Sequence, residues 1–236
     1  MRDLRPFYAP KSVAVVGAGE RATSSGGAVL QNLKIAGYPG RIVPVNPKGG
    51  EMFGLTAAPS LKDVGEPCEL AVIVIRPDLI PQAVQEAAET GHKNLLILPG
   101  GFAEAGEEGK ARDAAVRALA AEKGLTIAGP NCAGIISLRH DFRFGATFLR
   151  DVPPGGGLTL VSQSGALAEE VIAAANDQKI AFGTIITVGN AMHLGVEDHV
   201  EYLGAQAECS AVFLYIESID DPARFRRVTR AVARQK

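Results

Sequence analysis

The fold is decided by an apolar run that ends in glycines, Ser12-Val13-Ala14-Val15-Val16-Gly17-Ala18-Gly19-Glu20-Arg21-Ala22. Its first five residues predict a buried β-strand, and a helical stretch through Leu30, Leu33 and Ile35 follows. The turn between them fits G-x-G-x-x-G/A, a pattern that brings a phosphate to a helix N-terminus. The run therefore predicts the first strand, turn and helix of a nucleotide-binding α/β fold. A tight turn without a ligand is the alternative, because this pattern alone is weak.

The end of the second predicted strand, Val45-Asn46-Pro47-Lys48, changes the expected ligand. A dinucleotide site needs an acidic residue about 20 positions after the glycines to bind a ribose hydroxyl, and no acid lies between Glu20 and Glu51. Lys48 suits a phosphate instead, and Gly49-Gly50 permits close approach of the backbone. The missing acid disfavours NAD and is less decisive against NADP. A solvated lysine in a glycine-rich turn is the simpler interpretation.

Composition narrows the class of protein. The 236 residues allow one large or two modest domains, and 47% apolar with 21% charged residues is typical of globular proteins. A net charge of −2 gives no field for nucleic acid, and no signal core or membrane-length apolar stretch is present, so we expect a cytoplasmic protein. Three cysteines without C-x-x-C spacing, Cys68, Cys132 and Cys209, predict reduced thiols and no metal site.

Short β-branched runs alternate with helical patterns, which predicts a doubly wound parallel sheet. The runs lie at 12–16, 41–45, 70–75, 94–98 and 125–128, with the clearest helices at 78–90 and 104–123. In such a sheet the ligand lies beyond the carboxyl ends of the strands. Thr23 to Gly27 is expected to extend the first loop before the helix becomes regular.

The densest cluster of glycine and proline, at 151–157, predicts a domain boundary. We therefore expect one domain over 1–150, with a possible short β excursion at 141–148, and a second over 151–236. The second has only three predicted strands, at 158–162, 182–188 and 211–216. Because sheets usually have about five or six strands, the second domain is expected to be incomplete. Its exposed sheet edge would favour association, for example as a homo-oligomer.

Several residues after predicted strands are candidates for chemistry. Cys132 could be a nucleophile, but lone cysteines are most often packed or inert. Ser162-Gln163-Ser164-Gly165 resembles a hydrolase elbow without its first glycine, and it suits either an anion site or simple helix capping. Glu217 could orient a histidine or cap the following helix. His193 and His199 show no metal-ligand spacing and are expected at the surface.

Motifs in a fixed order cover nearly the whole chain. They are Val16-Gly17-Ala18, Pro44-Val45-Asn46-Pro47-Lys48, Gly100-Gly101-Phe102-Ala103-Glu104, Gly129-Pro130-Asn131-Cys132-Ala133-Gly134, Ser162-Gln163-Ser164-Gly165-Ala166-Leu167, Gly189-Asn190, Glu201-Tyr202-Leu203 and Tyr215-Ile216-Glu217. In this order they resemble the α-subunit region of nucleoside-diphosphate-forming acyl-CoA synthetases, relatives of succinyl-CoA synthetase. The resemblance implies a Rossmann-like CoA-binding domain followed by part of a flavodoxin-like α/β domain.

The resemblance also implies a role for each motif. The pyrophosphate of CoA would be held by Gly17, Ala18, Gly19, Ser24, Ser25 and Gly26, and Lys48 would meet a CoA phosphate. Pro99 and Gly100 would line the pantetheine path, with Asn131 and Cys132 towards the thiol. Phosphate would bind at Ser162, Gln163, Ser164 and Gly165, and Glu217 would hydrogen-bond a phosphohistidine.

That histidine is the main departure from the family, which places it after the point corresponding to Lys236. His193 does not replace it, since the family usually has Asp there. The ATP-grasp domain that uses Mg-ATP is absent as well. The leading hypothesis is the CoA-binding portion of a synthetase that makes acyl-CoA from a small carboxylic acid, CoA and ATP through an acyl phosphate and a phosphohistidine. Alone it would be inactive. The alternatives are a non-catalytic CoA-sensing or scaffold module and an NADP-dependent oxidoreductase.

Overall fold

Two five-stranded sheets with helices packed against them make up most of the chain in this computed structural model, which describes residues 2–140 and 142–236. The strands are β1 (Ser12–Val16), β2 (Arg41–Val45), β3 (Glu51–Met52), β4 (Leu55–Thr56), β5 (Leu70–Ile73), β6 (Asn94–Ile97), β7 (Thr126–Ala128), β8 (Gly134–Leu138), β9 (Arg143–Thr147), β10 (Gly155–Ser162), β11 (Phe182–Thr187) and β12 (Ala211–Tyr215). The α-helices are α1 (Arg5–Tyr8), α2 (Ser25–Ile35), α3 (Ile80–Glu89), α4 (Gly106–Lys123), α5 (Gly165–Gln178), α6 (Val196–Gly204) and α7 (Pro222–Val232).

The first sheet is parallel throughout, in the order β2-β1-β5-β6-β7. Strand β1 is flanked by β2 and β5, so that Val13 pairs with Ile42 on one side and Leu70 on the other. Strand order therefore reverses beside β1, and a ligand crevice is expected at the carboxyl ends there. The predicted doubly wound sheet is confirmed.

Helix α2 begins earlier than the sequence suggested. Ser24 is its N-cap, with its hydroxyl accepting a hydrogen bond from the Gly27 amide at 3.2 Å. Gly26 and Gly27 thus lie in the first helical turn, and the expectation that they extend the loop is wrong. A Cβ on Gly26 would lie 2.0 Å from the Gly17 carbonyl oxygen, so the helix packs directly on the loop. Glycines disfavour helix by propensity, which explains the error.

The second sheet has the order β12-β10-β11-β8-β9. Strands β10, β11 and β12 are parallel, while β8 is antiparallel to both β11 and β9. The expectation of a three-stranded second sheet is therefore wrong, because the hairpin of β8 and β9 supplies two more strands. Of the expected 141–148 excursion, Asp141 lies outside the described residues and 143–147 form β9 of this hairpin. The other pairing partner of β8, strand β11, lies about 50 residues further along the chain. Short sequence patterns carry no information on such pairing.

The hairpin and α2 join the two sheets. The Asn32 side-chain amide donates to the carbonyl oxygens of Thr147 at 2.7 Å and Leu149 at 2.8 Å. One apolar cluster also includes core residues of both sheets, such as Val13, Leu96, Val161 and Ile186. The carboxyl ends of the two sheets are thereby held in one arrangement.

Helix α6 corrects the expectation for one histidine. His199 is fully buried, and its Nδ1 lies 2.7 Å from the Tyr8 hydroxyl of α1. Its placement follows from α6 packing against β10 and α7 with apolar neighbours such as Val200. His193 is half-buried. In the described part of the chain no helix is both long and apolar enough to cross a membrane.

Candidate functional site

The carboxyl ends of both sheets border one cleft of about 740 Å³. It is lined by Ser25, Val74, Ile75, Leu98, Pro99, Gly100, Asn131, Cys132, Ala133, Phe148, Leu149, Gln163, Ser164, Gly165, Ala166, Glu169 and Glu217. On one side lie the segments that follow β5, β6 and β7, and on the other the turn between β10 and α5. Strand β10 lies between β11 and β12, so the order of these parallel strands also reverses beside it. The reversal points of two sheets therefore share this cleft.

The structure brings together residues that the sequence analysis selected from several separate segments. The predicted residues that line the cleft are Ser25, Pro99, Gly100, Asn131, Cys132, Gln163, Ser164, Gly165 and Glu217. A second group does not line it: Gly17, Ala18, Gly19, Gly26, Lys48 and Ser162. Ser24 lines an adjoining recess of about 360 Å³. The ligand roles of all these residues stay predictions.

The glycine loop supports the cleft from behind. Gly17 has φ +89°, and a Cβ there would lie 2.3 Å from the Val74 carbonyl oxygen. Only glycine fits such a position without moving the backbone. This contact sets how closely the segment after β1 lies to the segment after β5, which lines the cleft.

The recess lies at the N-terminus of α2. Thr23, Ser24, Ser25 and Arg150 contribute to its walls. The first amides of a helix lack intrahelical partners and carry partial positive charge. Arg150 and Glu169 bring opposite charges to these walls, so the helix N-terminus itself is the feature that suits an anion.

Lys48 follows β2 and is exposed. The turn is fixed by Asn46, whose side-chain oxygen accepts from the Lys48 amide at 2.9 Å and whose Nδ2 donates to the Ala18 carbonyl oxygen at 2.7 Å. The segment carrying Lys48 is thus tied to the glycine loop, although the residue lies outside the lining of the cleft.

Cys132 lines the cleft but is almost fully buried. Burial raises the pKa of its thiol to about 12, and the Sγ atom donates to the Ile97 carbonyl oxygen at 3.4 Å. A thiol that stays protonated at neutral pH is a poor nucleophile. A packing role for Cys132 is favoured over covalent chemistry.

The turn between β10 and α5 is stabilised by its own serines. Buried Ser162 donates to the Ser164 carbonyl oxygen at 2.7 Å and accepts from the Ser164 amide at 3.1 Å. The Ser164 hydroxyl in turn accepts from the Leu167 amide and caps α5. Ser162 therefore shapes the turn, while the first residues of α5 line the cleft.

Glu217 is exposed and lines the cleft just after β12. The side chain of Gln163 positions its backbone, because Gln163 Oε1 accepts from the amides of Glu217 and Ser218, the latter at 2.9 Å. Gln163 Nε2 also donates to the Ser218 carbonyl oxygen at 3.1 Å. None of the histidines in the described ranges lines the cleft. Within those ranges, Glu217 thus has no histidine partner at the cleft.

The sequence analysis missed several lining residues: Val74, Ile75, Leu98, Ala133, Phe148, Leu149, Ala166 and Glu169. Most are apolar or small and carry no chemical signal. Val74 and Ile75 were assigned to a strand, but β5 ends at Ile73 and leaves both at the cleft. Phe148 and Leu149 follow β9, so only the pairing of the hairpin could have placed them.

Two α/β units whose strand ends share one cleft define a two-domain protein of the nucleotide-binding type. Residues 11–137 match the family model described as "CoA binding domain", and residues 155–236 match "Succinyl-CoA ligase like flavodoxin domain". The chain belongs to the CoA-binding-domain family. The resemblance stated from the ordered motifs is confirmed.

Relatives of known class support this. The α subunit of acetate–CoA ligase [ADP-forming] II from Pyrococcus furiosus is 36% identical over 98% of this chain and 50% of the relative. Acetate–CoA ligase [ADP-forming] I from Archaeoglobus fulgidus is 33% identical over 98% of this chain and 33% of the relative. The chain thus spans a third to a half of the length of these relatives.

Solved structures agree with the fold. A structure of the dinucleotide forming acetyl-coenzyme A synthetase 1 of Ca. Korarchaeum cryptofilum, in complex with phosphate and ADP, superposes with a TM-score of 0.89 at 29% identity. The match covers 100% of this chain and 49% of that one. A crystal structure from Pyrococcus horikoshii gives a TM-score of 0.93 at 34% identity, over 99% and 53% of the two chains.

Proposed function

We propose that this chain is the CoA-binding part of a nucleoside-diphosphate-forming acyl-CoA synthetase. The enzyme would make acyl-CoA from a small carboxylic acid, CoA and ATP, or run in reverse. One observation carries the proposal: four of the motifs that stand in the family's order along the sequence contribute residues to a single cleft, which the first turns of two capped helices, α2 and α5, also line.

The shape of the cleft suits an extended ligand with charge at one end. The recess at Ser24 and Ser25, at the N-terminus of α2, would hold the pyrophosphate, and Lys48 would meet the further phosphate of CoA. Pro99 and Gly100 form a wall that an apolar arm can follow. Asn131 and Cys132 lie further along this wall, where the thiol would be expected.

The chemistry requires a nucleophilic thiol, which CoA itself would supply because Cys132 stays protonated. In the proposed reaction ATP phosphorylates a histidine and leaves as ADP, and the phosphohistidine passes its phosphoryl group to the carboxylic acid to form an acyl phosphate. The CoA thiol then attacks the acyl carbon, which forms the thioester and releases inorganic phosphate. The first turn of α5, with Ser164 and Gly165, would hold the phosphate at the helix N-terminus. Glu217 would accept a hydrogen bond from the phosphohistidine, which another segment must provide.

Partners follow from this division of roles. An ATP-grasp domain or subunit would bind ATP with magnesium, and β12 offers it an edge strand on which Phe213 is 51% exposed. Self-association through such an edge is the other possibility. We also place the protein in the cytoplasm, since Cys68, Cys132 and Cys209 are all free thiols, as is usual in a reducing compartment.

Calorimetry with CoA, dephospho-CoA and NADP tests the proposal. A folded sample should bind CoA, and Lys48→Ala should weaken CoA by about tenfold, as expected for one lost charge-assisted hydrogen bond. Dephospho-CoA should bind the wild type more weakly than CoA does, and its affinity should fall little in Lys48→Ala. Lys110→Ala, at an exposed lysine of α4 paired with Glu107, is the matched control. Absence of CoA binding, or tighter binding of NADP, would contradict the proposal.

A non-catalytic CoA sensor is the second candidate, favoured by the lack of a cleft histidine in the described ranges. Adding a separately produced ATP-grasp protein and a histidine-bearing segment from a relative separates the two. Formation of acyl-CoA from acetate, ATP and CoA would support the synthetase. Tight CoA binding without any turnover would support the sensor.

A further inference from the structure

Three loops meet where the cleft passes between the two sheets. They follow β6, β7 and β11, and backbone hydrogen bonds join them: the Asn131 amide donates to the Pro99 carbonyl oxygen at 3.0 Å, and the Asn190 amide to that of Pro130 at 2.9 Å. The loops also share a chain of side chains formed by Glu104, Asn190 and Asn131. This chain, the amide relay, reaches from the first sheet to the second and back.

The bonds of the amide relay are directional. Glu104 Oε1 accepts from the backbone amides of Gly101 and Phe102, the latter at 3.2 Å. Its Oε2 accepts from Asn190 Nδ2 at 2.5 Å, and Asn190 Oδ1 accepts from Asn131 Nδ2 at 3.2 Å. Burial alone would raise the pKa of Glu104, but its hydrogen bonds with Asn190, Gly101 and Phe102 hold that pKa below its ordinary value.

An ionised carboxylate can only accept hydrogen bonds. Asn190 must therefore turn its NH₂ group towards Glu104 and its carbonyl group towards Asn131. For the same reason Asn131 must present its NH₂ group to Asn190, which leaves Asn131 Oδ1 on the other side. Oδ1 lies 2.9 Å from the position that a Cβ on Gly100 would take, on the cleft wall. Within residues 2–140 and 142–236 no protein group donates to it.

We propose that the amide relay sets the polarity of the cleft wall at Asn131, so that Oδ1 accepts a hydrogen bond from a donor on the pantetheine arm of CoA. The inference rests on the proposed CoA function and adds a positioning role for Glu104 and Asn190. Three kinds of donor on the arm fit: the amide N–H groups, the hydroxyl O–H and the thiol S–H. No ligand charge is needed, and an arm without a donor at this point would bind less well.

Glu104→Gln inverts the relay with almost no change in size. The introduced glutamine keeps its oxygen towards the Gly101 and Phe102 amides and turns its NH₂ group to Asn190. Asn190 and then Asn131 must flip in response, which presents a donor to the cleft in place of an acceptor. Adding Asn190→Asp restores the polarity, because the introduced carboxylate can accept both from the glutamine of the first substitution and from Asn131.

Calorimetry with CoA, S-methyl-CoA and 3′-phospho-ADP, which is CoA without its pantetheine arm, tests the relay. Glu104→Gln should weaken CoA by about tenfold, the value of one hydrogen bond, and leave 3′-phospho-ADP unchanged. The double variant Glu104→Gln/Asn190→Asp should recover most of the loss, although Asn190→Asp alone places two carboxylates together and should weaken CoA. Glu107→Gln, an exposed change of the same kind in α4, should have no effect.

The outcomes separate this inference from the proposed function. A wild type that binds neither CoA nor 3′-phospho-ADP would overturn both. CoA binding that is unchanged in Glu104→Gln, or that falls equally for CoA and 3′-phospho-ADP, would overturn the relay alone, as would failure of the double variant to recover. If S-methyl-CoA shows the same loss as CoA, the donor is an amide or the hydroxyl of the arm. If it shows none, the donor is the thiol.

Discussion

The two sheets differ in what fills their buried positions. On the strands of the first sheet the buried side chains are all aliphatic, and the turn after β1 is shaped by glycines. The described strands of the second sheet bury hydroxyl side chains, which are Ser137, Thr147, Thr159, Ser162, Thr184 and Thr187, and α6 adds Glu197, Asp198 and His199. The first half thus depends on close packing, whereas the second buries many polar groups, of which Ser137 Oγ and His199 Nε2 have no hydrogen-bond partner among the described residues. The first should be most sensitive to added volume, and the second to lost partners and to protonation.

Adding one methyl group to the glycine turn should have the largest effect. In Gly26→Ala the new Cβ would lie 2.0 Å from the Gly17 carbonyl oxygen, a backbone atom that cannot turn aside. We expect a loss of about 4 kcal/mol in the free energy of unfolding, at the upper end of the usual range. Denaturant unfolding followed by circular dichroism measures it.

Gly19→Ala is the control in the same loop. Its Cβ would have Ser24 Oγ as its nearest neighbour, at 3.4 Å, which is ordinary contact. Stability should change by less than about 1 kcal/mol. Equal losses in the two variants would show that the loop depends on backbone flexibility and not on close packing.

Acid should weaken the second half through His199. Burial lowers the pKa of His199 to about 4 from an ordinary 6.5, and its Nε2 is buried without a partner among the described residues. In the unfolded chain His199 is therefore protonated below about pH 6.5, whereas in the folded protein it stays neutral down to about pH 4. Stability should fall across this window, by up to about 3 kcal/mol. Urea unfolding at a series of pH values measures the slope.

His199→Gln tests the assignment of that slope. The variant keeps a hydrogen-bonding group for the Tyr8 hydroxyl but cannot be protonated. Burial also lowers the pKa values of His92 and His193, so the slope between about pH 6.5 and 5 should become shallower without vanishing. Asp198 and Glu104, with lowered pKa values, titrate below this interval. If the dependence of unfolding free energy on pH is unchanged in the variant, His199 is not its cause.

The same contrast explains what the sequence could predict. The aliphatic run of β1 and its glycine turn are local patterns, so the first sheet and its ligand edge followed directly from them. Polar residues that line the cleft, such as Asn131 and Glu217, could also be predicted from the sequence. The start of α2 was missed because glycine is required at position 26 by the close contact of the helix with Gly17, and this contact cannot be read from the residues around Gly26. The hairpin of β8 and β9 and the burial of His199 depend on partners far along the chain, and no local pattern contains them.

The smallest predicted effect tests the hydrogen bonds at the crossing between the sheets. Buried Thr187 Oγ1 accepts from the amides of Ala133 at 2.7 Å and Gly134 at 2.9 Å. Thr187→Val keeps the volume but leaves two buried amides without an acceptor, which should cost about 2 kcal/mol. Thr126→Val, on β7 of the first sheet, makes the same change where the hydroxyl has no hydrogen bond among the described residues, and should cost less than about 0.5 kcal/mol. Because Ala133 lines the cleft, CoA affinity should fall in Thr187→Val and stay unchanged in Thr126→Val. Equal losses of unfolding free energy in the two variants would contradict the proposed difference between the sheets.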